Sequence, residues 1–334
     1  MDMSTPLARF TDHRGVILSA ILVLALGLLV ACSRNDSRSL TDEEPFPITL
    51  QTDWFAQPEH GGFYQALAKG YYEEAGLEVT IVSGGPNAMT LQRVLRGRAD
   101  FAMNRADFVF KQASEGIPIR MVMATLQKDP QAILMHADNP IERIEDLDGK
   151  PVMAIPGLTW ITYVERKFGI RLNILPHDFG MERFLNNPDF IQQCLETNEP
   201  FYARQHGVEV KTLPLRESGF NPYHGIYALD SFIETHPEAV RRFIEASIRG
   251  WEDFATGDPS PAFELIAARN PRMNQEFMEF SHHTLVEGNY ITGDSTPSQT
   301  GQLDPQRLRK LEEELIELEM VKPSDQEIQW YWIP

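Results

Sequence analysis

DWFAQPEHGGFYQALAKGYYEEAGLEV, residues 53–79, decides the reading of the fold. From Phe63 to Ala75 the apolar positions Phe63, Leu67 and Tyr71 recur four apart, the spacing of a helix face, and Gly76 stands where a helix ends. Just before it, PITLQTDW carries Ile48 and Leu50 in alternation and reads as a strand. Just after it, LEVTIVSGG reads as a second strand. Strand, helix and strand in units of this length imply parallel crossovers in an open α/β sheet. In such sheets ligands sit beyond the carboxyl ends of the strands. An acid, an indole, an imidazole and two glycines (Asp53, Trp54, His60, Gly61 and Gly62) therefore collect where a ligand is expected.

The pattern continues outward. NAMTLQRVLRGRAD reads as a helix with Met89, Leu91, Val94 and Leu95 on one side, FAMNRA as a short strand, DFVFKQASEG as a helix and IRMVMATL as a strand. Residues just after the strands include Ser83, Gly84, Gly85, Asn104 and Arg105. A second α/β unit begins near residue 140, with a strand at Pro151–Ile155, a glycine-containing loop and a helix through Trp160. PDFIQQCLETNEPFYARQ reads as a helix, followed by strands in GVEVKTLPL and YHGIYAL. SFIETHPEAVRRFIEASIRGWEDFATG is strongly amphipathic. The remaining residues are mostly helical and close with Leu308, Leu311, Leu315 and Leu318 on one helix face.

The chain has 334 residues, 42% of them hydrophobic, enough for two domains. Its net charge of -18 argues against nucleic acid or anionic lipid as the main partner. Arg9, His13 and Arg14 precede an apolar run of 16 residues, Val16–Ala31. That run is short of the ~20 residues that span a bilayer and reads as an export signal. It ends in LLVAC, which looks like the lipobox of bacterial lipoproteins and would make Cys32 the lipidated first residue of the mature chain. Residues 32–45 then form a polar tether. With Cys32 lipidated, Cys194 has no partner for a disulfide, and no zinc spacing is present.

Glycines in HGG and SGGPN permit close backbone approach. Helix starts offer free N–H groups. Trp54, Trp160 and Tyr202 offer flat faces, and Asp53 and Glu199 offer carboxylates for an amine or amidine-like nitrogen. Together these suit a small, flat, nitrogen-rich ligand. Each also has a plain structural reading: Trp54 and Trp160 as core, Asp53 and His60 as caps, Glu199 as a turn residue, Asn221 and Tyr223 as shapers of a turn. The chain has no GxSxG, HExxH, P-loop or dinucleotide-binding glycine fingerprint.

The order of TDWFAQPEHGGFYQALAKGYYEEAGLEV, GGPN, GRADFAMNRAD and EGIPIR, followed by DLDGKPVMAIPG, NEPFYARQHGVEVK and HPEAVRRFIEASIRGW, resembles the solute-binding proteins of ABC importers that bind thiamine pyrimidine precursors. Fungal hydroxymethylpyrimidine phosphate synthases share that fold. The resemblance runs from about residue 46 to at least residue 257. It implies a two-lobed α/β periplasmic-binding-protein fold, with a ligand cleft between lobes joined by two hinge crossings. Lobe one would take 46–136 and 226–334, and lobe two 137–225. One jaw would be Asp53, Trp54, His60 and Gly61 with Gly84, Gly85 and Asn104. The other would be Trp160, Glu199, Tyr202 and Tyr223.

The implied partners are a small ligand, an ABC permease and ATPase, and the membrane through the N-terminal lipid, with the chain a monomer in the cell envelope. No cofactor is implied. In the synthases a histidine matching His60 is consumed, with pyridoxal phosphate and iron, and a cysteine cluster precedes the strand that leads into the HPEAVRRF helix. SGFNPYHGIYAL holds no cysteine, so the resemblance points to binding rather than catalysis. The wider fold also binds sulfonates and nitrate, for which Arg105 is the candidate cation; Asp53 and Glu199 oppose that reading. For the leader, metabolic labelling with a fatty-acid analogue is expected to mark the parent chain and to be lost in Cys32→Ser; persistent labelling of that variant would refute the lipid anchor.

Overall fold

Among the described residues, ten strands form two sheets of five. They belong to a computed structural model that describes residues 44–86, 88–323 and 328–334. The leader, Cys32 and nearly all of the tether lie outside the described residues, as does Asn87 of GGPN. The first sheet contains β1 (Phe46–Gln51), β2 (Leu77–Val82), β3 (Phe101–Arg105), β4 (Ile119–Leu126) and β10 (His224–Leu229), in the order β2-β1-β3-β10-β4. β1 runs parallel to β2 and β3, and β10 lies antiparallel between β3 and β4. The second sheet contains β5 (Gln131–His136), β6 (Pro151–Ala154), β7 (Asn173–Pro176), β8 (Gln192–Leu195) and β9 (Val210–Pro214), in the order β7-β6-β8-β5-β9. Here β6 is parallel to β7 and β8, while β5 is antiparallel to β8 and β9. Both sheets belong to one compact unit.

The lone antiparallel strand of each sheet, β5 or β10, is the first strand made after the chain changes sheet. The chain crosses between Leu126 and Gln131, and again between Pro214 and His224. The first crossing therefore falls earlier than the expected boundary at 137, because QAILMH pairs within the second sheet. The crossings are tied together. Asn221 Oδ1 accepts the Asp129 amide at 2.9 Å. Arg307, from the helix Pro305–Glu317, donates to the carbonyls of Gln127 and Asn221, both at 2.7 Å, with its guanidinium 3.8 Å from the centre of the Tyr223 ring. Burial pushes the Arg307 pKa down, yet its donors are spent on backbone oxygens that would otherwise be buried unpaired.

Several local expectations change. β5, β7 and β8 are strands that the sequence did not announce: QAILMH, NILP and QQCL show no alternation of apolar and polar residues, and β8 lies inside a stretch that reads as a helix. The helix expected from Phe63 to Ala75 breaks at Gly70, whose φ of 74° is left-handed, into Gly61–Ala68 and Tyr71–Glu74. Met89 and Leu95 are exposed rather than packed. The closing helix, Pro305–Glu317, buries Leu308, Leu311 and Leu315 as expected, whereas Leu318 lies just past its end and is half-buried.

The glycines of HGG serve helix packing. A Cβ on Gly62 would lie 2.1 Å from the Trp251 ring, one on Gly61 2.2 Å from the Phe254 ring, and one on Gly250 2.3 Å from the Gly62 carbonyl oxygen. The helices Gly61–Ala68 and Pro237–Thr256 therefore touch through backbone. Beside this contact the Phe243 ring stacks on Phe101, with centroids 4.3 Å apart, and on Tyr72 at 5.5 Å. The outer edge of β4 is covered, since Met121 N donates to Trp330 O at 3.0 Å and Ala124 N to Gly301 O at 3.3 Å. Gly250→Ala should force the two helices apart and lower stability by about 1–3 kcal/mol. Urea melts of both proteins measure this, and an unchanged midpoint would mean the helices are not in backbone contact.

Candidate functional site

β1 ends at Gln51, and the chain turns through Asp53 and Trp54 into a short turn, Pro58–His60, that opens the helix Gly61–Ala68. β3 delivers Arg105, β10 delivers His224 at its first position, the loop after β8 delivers Asn198, and the first position of the helix Glu199–Gln205 delivers Glu199. The first crossing adds Asp129 and Gln131, and the loop after β7 adds His177 and Phe179. These residues line one cleft of about 220 Å³ that draws on both sheets.

Four carboxyls line it, and they are not equivalent. Asp53 lies between two imidazoles, with Oδ1 3.2 Å from His60 Nε2 and Oδ2 3.0 Å from His224 Nε2. Burial alone would raise its pKa. The charge and hydrogen bond of His224, then those of His60, outweigh burial and hold it well below the usual carboxylate value. Burial pushes Glu59 and Asp129 up, in Asp129 against the opposing charge of Arg105. Burial also drives Glu199, with the charge of Glu59 adding to the effect, up to about 7. His177 is pushed down by burial. A polar chain fixes one wall. Gln131 Nε2 donates to Asp129 Oδ2 at 2.7 Å, Gln193 Nε2 to Gln131 Oε1 at 3.2 Å, and the Ile155 amide to Gln193 Oε1 at 3.2 Å. At the mouth the Trp54 and Phe179 rings, one from each lobe, have centroids 5.5 Å apart. Among the described residues no group of three or more His, Cys, Asp or Glu is arranged to hold a metal ion.

Of the residues singled out from sequence, Asp53, Trp54, Glu199 and Arg105 line the cleft. His60 stands behind Asp53, fully buried, as its hydrogen-bond partner. Gly84 and Gly85 support the lining: the Gly84 amide donates to Trp54 O at 2.9 Å and the Gly85 amide to Asp53 O at 3.4 Å. The remaining candidates lie elsewhere. Gly61 packs on Phe254. Asn104 Oδ1 takes the amide of Arg105 at 2.9 Å. Trp160 is fully buried in the core beside Tyr163 and Val164. Tyr202 stacks on Phe277 at 5.3 Å, and Tyr223 is buried under Arg307 at the hinge. Trp160 and Tyr223 found enough neighbours to be buried and Tyr202 packs half-buried on the core, which a place near a strand end could not reveal.

Glu59, Asp129, Gln131, His177, Phe179, Gln193, Asn198 and His224 also line the cleft and were not foreseen. Glu59 and His224 adjoin residues that were, so proximity to His60 and Tyr223 was the available signal. His177 and Phe179 follow a strand with no alternation to read. Residues 57–262 match the family model described as NMT1/THI5 like.

The chain belongs to the NMT1/THI5-like family. It is 27% identical to the riboflavin-binding protein RibY of Chloroflexus aurantiacus, over 72% of this chain and 71% of that one. It is 22% identical to a formylaminopyrimidine-binding protein of Halalkalibacterium halodurans, over 80% of this chain and 84% of that one. A third relative is the 4-amino-5-hydroxymethyl-2-methylpyrimidine phosphate synthase of Aspergillus parasiticus, at 23% identity over 68% of this chain and 71% of that one. Among solved structures it is similar to the periplasmic aliphatic sulphonate binding protein SsuA of Escherichia coli, with a TM-score of 0.63 at 14% identity, covering 87% of this chain and 93% of that one. The periplasmic nitrate-binding protein NrtA of Synechocystis PCC 6803 gives a TM-score of 0.58 at 13% identity, covering 85% of this chain and 84% of that one. The NMT1/THI5-like chain thus has the periplasmic-binding-protein fold.

The raised pKa of Glu199 has a measurable cost in the NMT1/THI5-like chain. An acid whose pKa rises on folding binds its proton more tightly when folded, so stability falls as pH climbs from 4.5 towards about 7 and stays lower above. Glu199→Gln removes that penalty. The variant should exceed the parent by about 1–3 kcal/mol near pH 8 and match it near pH 4 in denaturant melts. Equal stability at both pH values would mean that the folded chain leaves the Glu199 carboxylate well solvated.

Proposed function

We propose that this protein is the solute-binding component of an ABC importer, held to the outer face of a membrane through a lipid on Cys32. Its ligand is a small nitrogen heterocycle, a pyrimidine related to thiamine precursors such as formylaminopyrimidine. The observation that carries the ligand reading is the carboxyl-rich cleft of Asp53, Glu59, Asp129 and Glu199, closed at its mouth by the Trp54 and Phe179 rings. Carboxyls accept N–H donors, and flat rings stack on a flat heterocycle. A sulfonate or nitrate would meet four acids and few cations, an arrangement that repels anions.

A volume near 220 Å³ suits one ring better than the larger ligands of typical 300–1,000 Å³ pockets. Riboflavin is the second reading, favoured by RibY and by the aromatic mouth, where the exposed Phe55 and Phe179 flank Trp54. Binding without turnover is the better account of His60. Its Nε2 is engaged by Asp53, and its ring is wholly buried behind that carboxylate rather than presented to the cleft.

A thermal-shift panel of formylaminopyrimidine, hydroxymethylpyrimidine, thiamine, riboflavin, taurine and nitrate discriminates these readings. A pyrimidine at a hundredfold excess over its Kd should stabilise the chain by about 2.7 kcal/mol. Stabilisation by riboflavin alone would move the ligand to the flavins, and stabilisation by taurine or nitrate alone would overturn the charge argument. Turnover dependent on His60, with iron and pyridoxal phosphate supplied, would overturn the non-enzyme reading.

A further inference from the structure

Arg105 ends β3 where that strand pairs with the His224 end of β10, and it lines the cleft with 17% of its side chain exposed. Among the described residues it is the one Arg or Lys in that lining. Its amide is fixed by Asn104 Oδ1 at 2.9 Å, whereas its guanidinium is spent on nothing of the kind. Nε is buried with no hydrogen-bond partner, and the ion-pair partner Asp107 stands 3.5 Å away, too far for a good N–H···O bond. Both oxygens of Asp107 are likewise buried without a hydrogen-bond partner. Asp129 feels the charge of Arg105 but gives both oxygens to Gln131, one to its amide at 3.1 Å and one to its Nε2 at 2.7 Å. Charge and hydrogen bonding are therefore separated at Arg105. A Coulomb interaction falls off slowly, so Asp107 offsets the charge. A hydrogen bond is short and directional, so the same carboxylate leaves the donors unspent.

We propose that Arg105 is a specificity-determining donor of the cleft: its guanidinium holds a neutral carbonyl oxygen on the ligand's substituent, so the cleft takes a ring carrying a formyl- or amide-type group over the same ring without one. The proposal rests on the pyrimidine reading and deepens it. Balanced charge with unspent donors suits a neutral acceptor better than an anion, which would meet the offsetting Asp107 and the acids of the lining. An N–H or hydroxyl of the ligand can donate to those acids. A carbonyl oxygen only accepts, and its two in-plane lone pairs match the planar fork of a guanidinium. A carboxyl serves a carbonyl only while it is protonated, whereas a guanidinium donates at every working pH. The titratable groups around Arg105 are Asp107 on the helix that follows it, Asp129 of the first crossing and His224 on the neighbouring strand. None of them can replace its fork of donors.

The test is calorimetric titration of the full-length chain in detergent with formylaminopyrimidine and with 4-amino-5-butyl-2-methylpyrimidine, whose butyl group replaces the formylaminomethyl group heavy atom for heavy atom. The parent should favour the formyl compound by at least about 100-fold, in line with the rejection seen when a buried polar group is left unpaired. The factor should be the same near pH 6 and near pH 8.5, since both compounds share the ring and its own titration cancels. Arg105→Met should cut the preference at least about tenfold, the lower range for a hydrogen bond to a charged group. That variant leaves Asp107 without its counter-charge, so Arg105→Met/Asp107→Asn, which removes both charges, should show the same cut and melt as cooperatively as the parent. An Arg105 that only supports the fold would weaken both compounds alike. A parental preference in the double variant therefore overturns the proposal and leaves the pyrimidine reading intact. A parent whose preference falls at least about tenfold between the two pH values also overturns it, because a protonated Glu199, with its pKa of about 7, would then be the donor. Should the double variant not fold, that pH comparison on the parent decides the matter. A parent chain that takes neither pyrimidine overturns the ligand reading, and the role of Arg105 with it.

Discussion

Asp53 held between His60 and His224 is the interaction on which the cleft depends. The carboxylate closes the end of β1, one imidazole belongs to the entry of the helix Gly61–Ala68, and the other opens β10 just after the second crossing. A single anion thus joins a strand end, a helix entry and a hinge. The two imidazoles keep Asp53 ionised despite burial. Removing either would leave the charge of the partly buried Asp53 with one imidazole instead of two.

That arrangement uses up the nearby positive character. Glu59 and Glu199 have no comparable partner, so burial drives both towards the protonated form. The cleft consequently holds one fixed anion, Asp53, and three carboxyls, Glu59, Asp129 and Glu199, that burial pushes up. Arg105 is the cation that lines the cleft with them: its Nε lies 3.5 Å from the buried Asp107, and its charge opposes the rise of Asp129. The net effect is a site that receives hydrogen-bond donors and disfavours anions, although the fold itself is shared with proteins named for sulphonate and nitrate.

The hinge has its own logic. Each lone antiparallel strand begins where the chain arrives from the other sheet, so both crossings lie side by side. Their backbone groups cannot pair in either sheet. Arg307 and Asn221 satisfy them, and they do so from the closing helix and from the second crossing respectively. The apolar cluster beneath, which includes Tyr223, Leu215 and Leu308, is shared by both lobes, so motion between the lobes must pivot on this packed base.

The sequence by itself determined the α/β class, the first crossover unit and the placement of Asp53 and Trp54, because alternation and helical spacing are local properties of the chain. It also showed that Leu308, Leu311 and Leu315 form one buried face. Only the tertiary structure decided which strand-end residues meet. Trp160 and Tyr202 carry the same aromatic faces as Trp54, but the core and the ring of Phe277 claimed them. Gly61 and Gly62 looked like an opening for a ligand, whereas they are the contact of two helices. β5, β7 and β8 show no alternation to signal a strand, and with them His177, Phe179 and Asp129 stayed out of view. Glu59 shows the reason most plainly. Its partner Thr197 is 138 residues away in the chain, and what a carboxyl does depends on the groups that the fold brings to it, which no local pattern records.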